Sequence, residues 1–388
     1  MNSEIINSEP LSLTYLDPKR IALSKVKLSD LEGVYLKALQ QVVQNADGAL
    51  SRKPNPVTNK LQPGPSGDQH DYYSIGPYWW PDNTQPDGLP WIRRDGEVNP
   101  LARGDDTDKV RSKTLLYDLG HLNIAYIFTN KADYLNKTQQ LVFTWMIDPV
   151  TKMNPNLDYA QGVPGASTGR PYGIIEWEKI SNVVTSVELL EQSGTVNKLF
   201  IEQANAWLND YLTWLLTSEI GIQEGATLNN HATWYDFQVI GLMIHLNQIE
   251  RAKAYASDFK SKRIDSQIER DGAQPQELAR TKSVSYSSMN LMAFLKVADL
   301  SRRLGIDLLN YEGEEGQSIS AAVNYLLPYV HEQKQWEYQQ IGGIKKALQE
   351  EVMSTLYVAF RLFENELVPQ ILIEKNYQHI EPEIILTF

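Results

Sequence analysis

The sequence predicts an all-α fold of helical hairpins packed into one layered domain, and three observations carry that reading. Helical periodicity dominates after about residue 108, strand-like alternation is scarce, and no second composition regime interrupts the 388 residues. Paired helices in a toroid account for the length, and so does a bundle; periodicity alone does not separate them.

In chain order, helices are expected near 29–47, 109–129, 132–146, 174–192, 196–217, 231–248, 283–304, 317–331 and 348–364, each carrying Leu, Ile, Val, Phe, Tyr or Ala at three- and four-residue spacing. Asp108 reads as a cap for the second, and Asn230 is an N-cap type at the sixth. Two stretches break the pattern. Residues 50–107 contain KPNPVTNKLQPGPSGDQHDYYSIGPYWWPDNTQPDGLPWIRRDGEVNP, where Pro and Gly forbid a long helix, and TKMNPNLDYAQGVPGASTGRPYG at 151–173 does the same on a smaller scale. Irregular segments of this length are usually functional in compact proteins. The first carries Tyr72, Tyr73, Tyr78, Trp79, Trp80 and Trp91 beside Arg93 and Arg94. Aromatic faces next to guanidinium groups suit an acidic sugar; the plainer reading packs those rings on the helices beneath.

Composition narrows the function. At 42% apolar and 10% aromatic, the chain can bury a large core. A net charge of −12 argues against non-specific binding to nucleic acid or an anionic membrane. No apolar stretch of roughly 18 residues exists, so no membrane span is expected. The absence of cysteine removes disulfides, thiolate nucleophiles and Cys-based zinc sites. The N-terminus MNSEIINSEPLSLTYLD has neither a basic n-region nor an apolar h-region. The expectation is a periplasmic or secreted protein whose signal peptide has been removed, with a cytoplasmic protein as the alternative. Oligomeric state is unreadable.

The stretch TLNNHATWYDF at 227–237 places Asn229, Asn230 and His231 before an apolar run, and QPQELARTKSVSYSSMNLMAF at 274–294 places Glu277, Arg280 and Tyr286 before or within another. Together these supply one set of donors and one base. The proton at C5 of a uronate is hard to remove because the adjacent carboxylate is already negative. His, Asn and Arg can neutralise that carboxylate and stabilise the charge that develops, while Tyr serves as base, as acid to the departing oxygen, or as both. Free tyrosine titrates near 10, so reaching neutrality needs roughly 4 kcal/mol, and a neighbouring Arg is the expected source. Taken singly, His231 reads as a cap or buried side chain, Tyr286 as core, and Arg280 as the partner of Glu277.

The patterns N-N-H-x-T-W-Y at 229–235 and E-L-x-R-T-x-S-x-x-Y-S-x-x-N-L at 277–291 resemble the alginate lyase superfamily of (α/α) toroid enzymes, which cleave uronate polysaccharides by β-elimination. So do G-D-x-H-D-Y-x-S-x-G-P-Y-W-W-P-D at 67–82, W-I-R-R-D-G-E-V-N-P at 91–100 and M-N-P-N-L-x-Y-A-Q at 153–161, so the likeness covers about residues 50–300. The resemblance implies a single (α/α) toroid or incomplete barrel over 1–388, with a flap loop at 62–100. It implies that Asn230 and His231 neutralise the carboxylate, that Tyr286 is base and acid, and that Arg280 lies beside both. The expected ligand is an anionic uronate polymer, mannuronate-rich alginate or glucuronan, with no cofactor and no metal. By residue type, Tyr72, Trp79 and Trp80 are candidate sugar contacts, with Arg93, Arg94, Gln161, Arg170, Trp234 and Tyr235 behind them.

Three other readings compete. A glycoside hydrolase would use two carboxylates among Asp68, Asp71, Glu176 and Asp236. A non-catalytic protein would use the aromatic loop as a stacking platform. A metal-dependent lyase would let a cation neutralise the carboxylate, but RGDDTDK at 103–109 lacks the Gly and terminal Glu of an EF-hand, and the six histidines are scattered with no HExxH. No phosphate loop or GxGxxG follows a strand.

Overall fold

The structure, a computed structural model, describes residues 12–30, 32–363 and 379–388. Position 364, the last residue of an expected helix, and the first eleven residues lie outside that set. The helices are α1 Pro18–Ser29, α2 Gly33–Ser51, α3 Lys109–Thr129, α4 Ala132–Val142, α5 Ile180–Ser193, α6 Lys198–Thr217, α7 Glu219–Gly225, α8 Asn230–His245, α9 Ile249–Phe259, α10 Asp265–Gln267, α11 Pro275–Leu278, α12 Ser283–Arg303, α13 Ile319–Val330, α14 Ile344–Lys346, α15 Met353–Phe363 and α16 Pro382–Thr387.

Local chemistry sets most of their ends. Asp17, Asn197, Asn229 and Ser318 each accept a bond from an orphan N–H in the first turn of the helix that follows. Gly194 stops α5 with φ +65, where a Cβ would be strained. The expected 29–47 helix is found as α2, displaced to 33–51, and α1, α7 and α9 were not anticipated. The expected 174–192 helix opens instead as a 3-10 segment, Pro171–Trp177, and the expected 132–146 helix ends in a π-helical turn, Phe143–Ile147.

The helices form two layers. The inner ones, α2, α3, α5, α8, α12 and α15, pack neighbour to neighbour in an arc, and α16 packs against both α15 and α2. Outside them, α4 covers α3 and α5, α6 covers α5 and α8, α9 covers α8, and α13 covers α12. This is the (α/α) toroid. Helices in its wall are buried nearly all round: α8 hides thirteen of sixteen residues, among them the polar Thr233, Asp236 and Gln238. Such a helix has no amphipathic stripe, which is why its polar positions stand out.

Irregular chain covers one end of the toroid. β1 Tyr73–Ile75 pairs in parallel with β4 Tyr159–Gly162, joining the two long Pro/Gly-rich segments. β2 Trp79–Trp80 pairs antiparallel with β3 Ile92–Arg93, setting Trp79 opposite Arg93. The root of the 62–100 segment is fixed below: Tyr72 and Ser74 donate to one Glu176 oxygen at 2.7 and 2.6 Å, and Lys109 pairs with the other at 2.8 Å.

Candidate active site

The first turns of α8 and α12 face the covered end. Asn229, the N-cap of α8, accepts from the His231 N–H at 3.1 Å. The next residue, Asn230, gives its backbone N–H and its side-chain amide to the two oxygens of Glu277 at 2.6 and 2.8 Å. Glu277 is buried, which raises its pKa, and the two bonds from Asn230, then the charge of Arg280, pull it back in part. One carboxyl thus ties the start of α8 to the segment leading into α12.

His231 is aimed by two neighbours. Its Nδ1 meets Glu224 Oε1 at 2.7 Å, and the Tyr172 ring lies edge-on at 4.9 Å. Glu224 is fully buried, so its carboxylate accepts from Nδ1–H and leaves Nε2 for the cleft. A neutral imidazole held this way offers Nε2 as a proton acceptor; a protonated one offers it as a donor.

Tyr286 and Arg280 form the second half. The Arg280 guanidinium lies 3.8 Å over the Tyr286 ring and binds both oxygens of Asp95 at 3.0 and 2.8 Å. Burial alone would raise the Asp95 carboxyl, but the bonds and charge of Arg280 outweigh it and hold the group well below the usual carboxylate range. Thr281 adds its backbone N–H and hydroxyl to Asp95. The Tyr286 hydroxyl meets that of Tyr78 at 2.7 Å. Here the structure corrects an expectation: the Tyr286 pKa lies above, not below, that of free tyrosine. Burial and Tyr78 raise it more than Arg280, already shared with Asp95, lowers it.

The third element is an arginine with no carboxylate partner among the described residues. The Arg170 side chain bonds to Gln161, through the carbonyl at 2.8 Å and the side chain at 3.3 Å, and lies between the rings of Trp79 (5.2 Å) and Tyr172 (5.3 Å). Gln161 adopts φ +50, unusual for a residue with a side chain, to present both acceptors. Arg94 covers Trp80 at 5.1 Å, and Arg93 reaches Asp95 at 2.8 Å. Trp79, Trp80, Arg93, Arg94 and Arg170 therefore gather on the covering segments, next to Tyr172 and Tyr78, which touch His231 and Tyr286.

Other candidates are placed elsewhere. Tyr72 is 0% exposed, with its hydroxyl on Glu176 and Ser112, and cannot meet a sugar. Tyr235 is core, its hydroxyl donating to the Leu215 carbonyl at 2.6 Å. Gln161 is buried and acts on Arg170, and Trp234 is buried one helical turn inside His231. Asn230 is 0% exposed with its amide spent on Glu277, so of the two asparagines the half-buried Asn229 is nearer the surface. The hydrolase carboxylates are dispersed: Asp68 and Asp71 share Asn154, Glu176 anchors the covering segment, and Asp236 is sealed in an ion pair with Arg263 at 2.7 Å.

Sequence reasoning missed Tyr78, Asp95, Tyr172 and Glu224 as site residues. Asp95 and Tyr78 stood inside quoted motifs. Glu224 is seven residues before His231, about two helical turns, but a break in the helix at 226–229 hides that spacing.

The chain matches the family model described as alginate lyase over residues 56–336. It is similar to the crystal structure of an alginate lyase from Bacteroides ovatus, with 31% identity, 97% of this chain and 100% of that chain covered, and a TM-score of 0.91. Alginate lyase A1-III from Sphingomonas species A1 shares the fold at 15% identity, with 100% and 99% coverage and a TM-score of 0.60. A variant of A1-III complexed with tetrasaccharide shares it at 14% identity, with 100% and 99% coverage and a TM-score of 0.60. No curated protein matches. With the family model spanning well over half of the residues, and a toroid of the same design carrying the motifs, the chain belongs to the alginate lyase family and is a polysaccharide lyase.

Proposed function

We propose that the protein cleaves a 1,4-linked uronate polymer, mannuronate-rich alginate before glucuronan, by β-elimination at the mouth formed by α8 and α12. The observation that carries this reading is the Arg280 guanidinium stacked 3.8 Å over Tyr286, whose hydroxyl meets no carboxylate among the described residues and faces Tyr78 at 2.7 Å. This arginine pairs with Asp95 and also lays its charge on a phenol.

In the proposed reaction the uronate carboxylate meets His231 Nε2–H and the guanidinium of Arg170, which has no other anion to neutralise. The N-terminus of α8 adds its positive end. With the carboxylate neutralised, the Tyr286 oxygen takes the C5 proton. The electron pair forms the C4–C5 double bond, the C4–O bond breaks, and the departing oxygen takes a proton from Tyr286 or, on the opposite sugar face, from His231. Glu224 and Asp95 do not touch sugar: the first orients His231, the second holds Arg280 over the phenol. Asn230 and Glu277 position the first turn of α8.

The test is ultraviolet absorbance of the unsaturated product with polymannuronate, polyguluronate, glucuronan and hyaluronan in parallel, with Tyr286→Phe as control. A rise on one polymer that is lost in the control supports elimination and identifies the substrate. Reducing ends released without absorbance would replace elimination with hydrolysis.

A further inference from the structure

Inside the toroid lies a cavity of about 350 Å³ that no step above uses. Its wall is drawn from α3, α5, α8 and α12, and from the chain at 351–355. Its volume falls within the range of roughly 300–1,000 Å³ typical of small-molecule sites. It also lies in line with the mouth. Trp234 is one turn inward of His231 on α8, and Met289 one turn inward of Tyr286 on α12; both line the cavity. From Tyr286 to Lys296 the helix descends about 15 Å. At the far end α16 closes the floor, held by the Glu381 N–H on Ser354 and by Arg20 over the Phe388 ring at 4.6 Å.

The wall is chemically unusual for a toroid core. Lys179 and Lys296 both line it, and neither forms an ion pair among the described residues. They stand beside rings instead: Lys179 over Tyr117 at 4.9 Å and Lys296 over Phe237 at 5.7 Å. Trp234 also lines this space at 7% exposure, and its sealed indole N–H has no acceptor among the described residues. The acids around the wall do not answer the lysines by contact. Glu383 is taken by His121 at 2.5 Å, Asp299 by Arg20 and Arg302, and Glu178 is pushed toward its neutral form by burial. Burial works against the charge on Lys179, but Glu178 and then Glu381 act on it through space and raise its pKa on balance; both act on Lys296 as well. Burial and the charge of Lys179 bring the Lys296 ammonium down to about 8. On Lys296 burial wins, and a desolvated ammonium is costly unless an anion meets it.

We propose that this lumen binds the terminal uronate residue of the polymer, its carboxylate on Lys296 and Lys179 and its ring against Trp234, so that the enzyme takes its substrate end-on and releases small fragments. The proposal rests on the uronate reading above and adds a direction and a floor to it. A chain lying across the mouth would leave the lumen unfilled; a chain entering by its end fills it and stops at α16.

Two measurements on the full chain test it. Calorimetry with free glucuronate and mannuronate, and with mannose as a neutral control, should show binding of the acids only, weakened about tenfold by Lys296→Met. The same variant should raise Tm, because a buried charge kept for a ligand is a burden on the fold; a structural lysine would lower it. Viscosity of the preferred polymer should then fall slowly relative to ultraviolet absorbance. Uronate binding unchanged by Lys296→Met, no binding by wild type, or viscosity collapsing while absorbance has barely risen would each overturn the end-on lumen. If no polymer yields absorbance at all, it is the elimination reading that fails, and calorimetry still decides the lumen.

Discussion

Arg280 is shared between two groups: its guanidinium lies 3.8 Å above the ring of Tyr286 while two of its nitrogens close on Asp95. The acid belongs to the covering segment and the phenol to the toroid wall, so one side chain joins the two parts of the site.

Replacing Arg280 by Lys keeps a charge but loses the planar stack and the two-point grip on Asp95. Initial rates should fall by about a hundredfold, mostly in kcat, since the interaction acts on the ionised phenol. A change confined to KM would make Arg280 a plain substrate contact.

Asp95→Asn should lower kcat by about tenfold with little change in KM, because it frees Arg280 from the phenol rather than removing a sugar contact. The folded-state pKa of Asp95 is depressed, so its stabilisation is fully present above its unfolded value near 4 and is lost as pH falls below that. The Tm difference between wild type and variant should therefore shrink on acidification. A gap that widens in acid would contradict the ion pair.

The Tyr286 hydroxyl titrates above its ordinary value, with burial and then Tyr78 as causes, so the reactive phenolate grows about tenfold per pH unit through roughly pH 7–9. The rate should climb on the alkaline side to match. Tyr78→Phe removes one raising influence and should move that rise to lower pH. An unmoved profile would assign the titration to another group.

Glu224→Gln keeps the shape around His231 but removes its counter-charge. We expect kcat to fall ten- to a hundredfold with KM within a few-fold of wild type. Rates equal to wild type would show that His231 works without Glu224.

Behind the first turn of α8, Asp236 and Arg263 form a buried pair at 2.7 Å, with Tyr255 donating to the same carboxylate. Asp236→Ala leaves the guanidinium uncompensated and should cost about 3–5 kcal/mol by denaturant titration. Arg263 also donates to the carbonyls of Gly225 and Thr227, in the turn that joins Glu224 to the start of α8, so ultraviolet assays at low temperature should show activity lowered along with stability.

The sequence made the helical class visible because α3, α6, α8 and α12 are long, and their apolar spacing survives even where a wall helix is buried all round. It hid α7, which is short, and α1 and α9, which each carry four charged residues. Of the site, Asn229, Asn230 and His231 were legible because they stand together directly before an apolar run, where Ala, Leu or Glu would favour a helix more. Asp95 and Tyr78 were not: they reach Arg280 and Tyr286 across 185 and 208 positions, and a contact of that span leaves no periodic trace. Tyr72 misled because ring type says nothing about depth; its hydroxyl is needed by Glu176, which draws it inside.

The half-buried contact between Asp95 and Arg280, with side chains 19% and 17% exposed, is open enough to feel dissolved ions. Because it also clasps the covering segment to the wall, added salt should pull turnover two ways. It weakens capture of a polyanion and loosens the clasp that retains the product. Where departure of the product limits the cycle, moderate ionic strength should speed the enzyme before higher strength slows it, giving a rate with a maximum in salt instead of a steady decline.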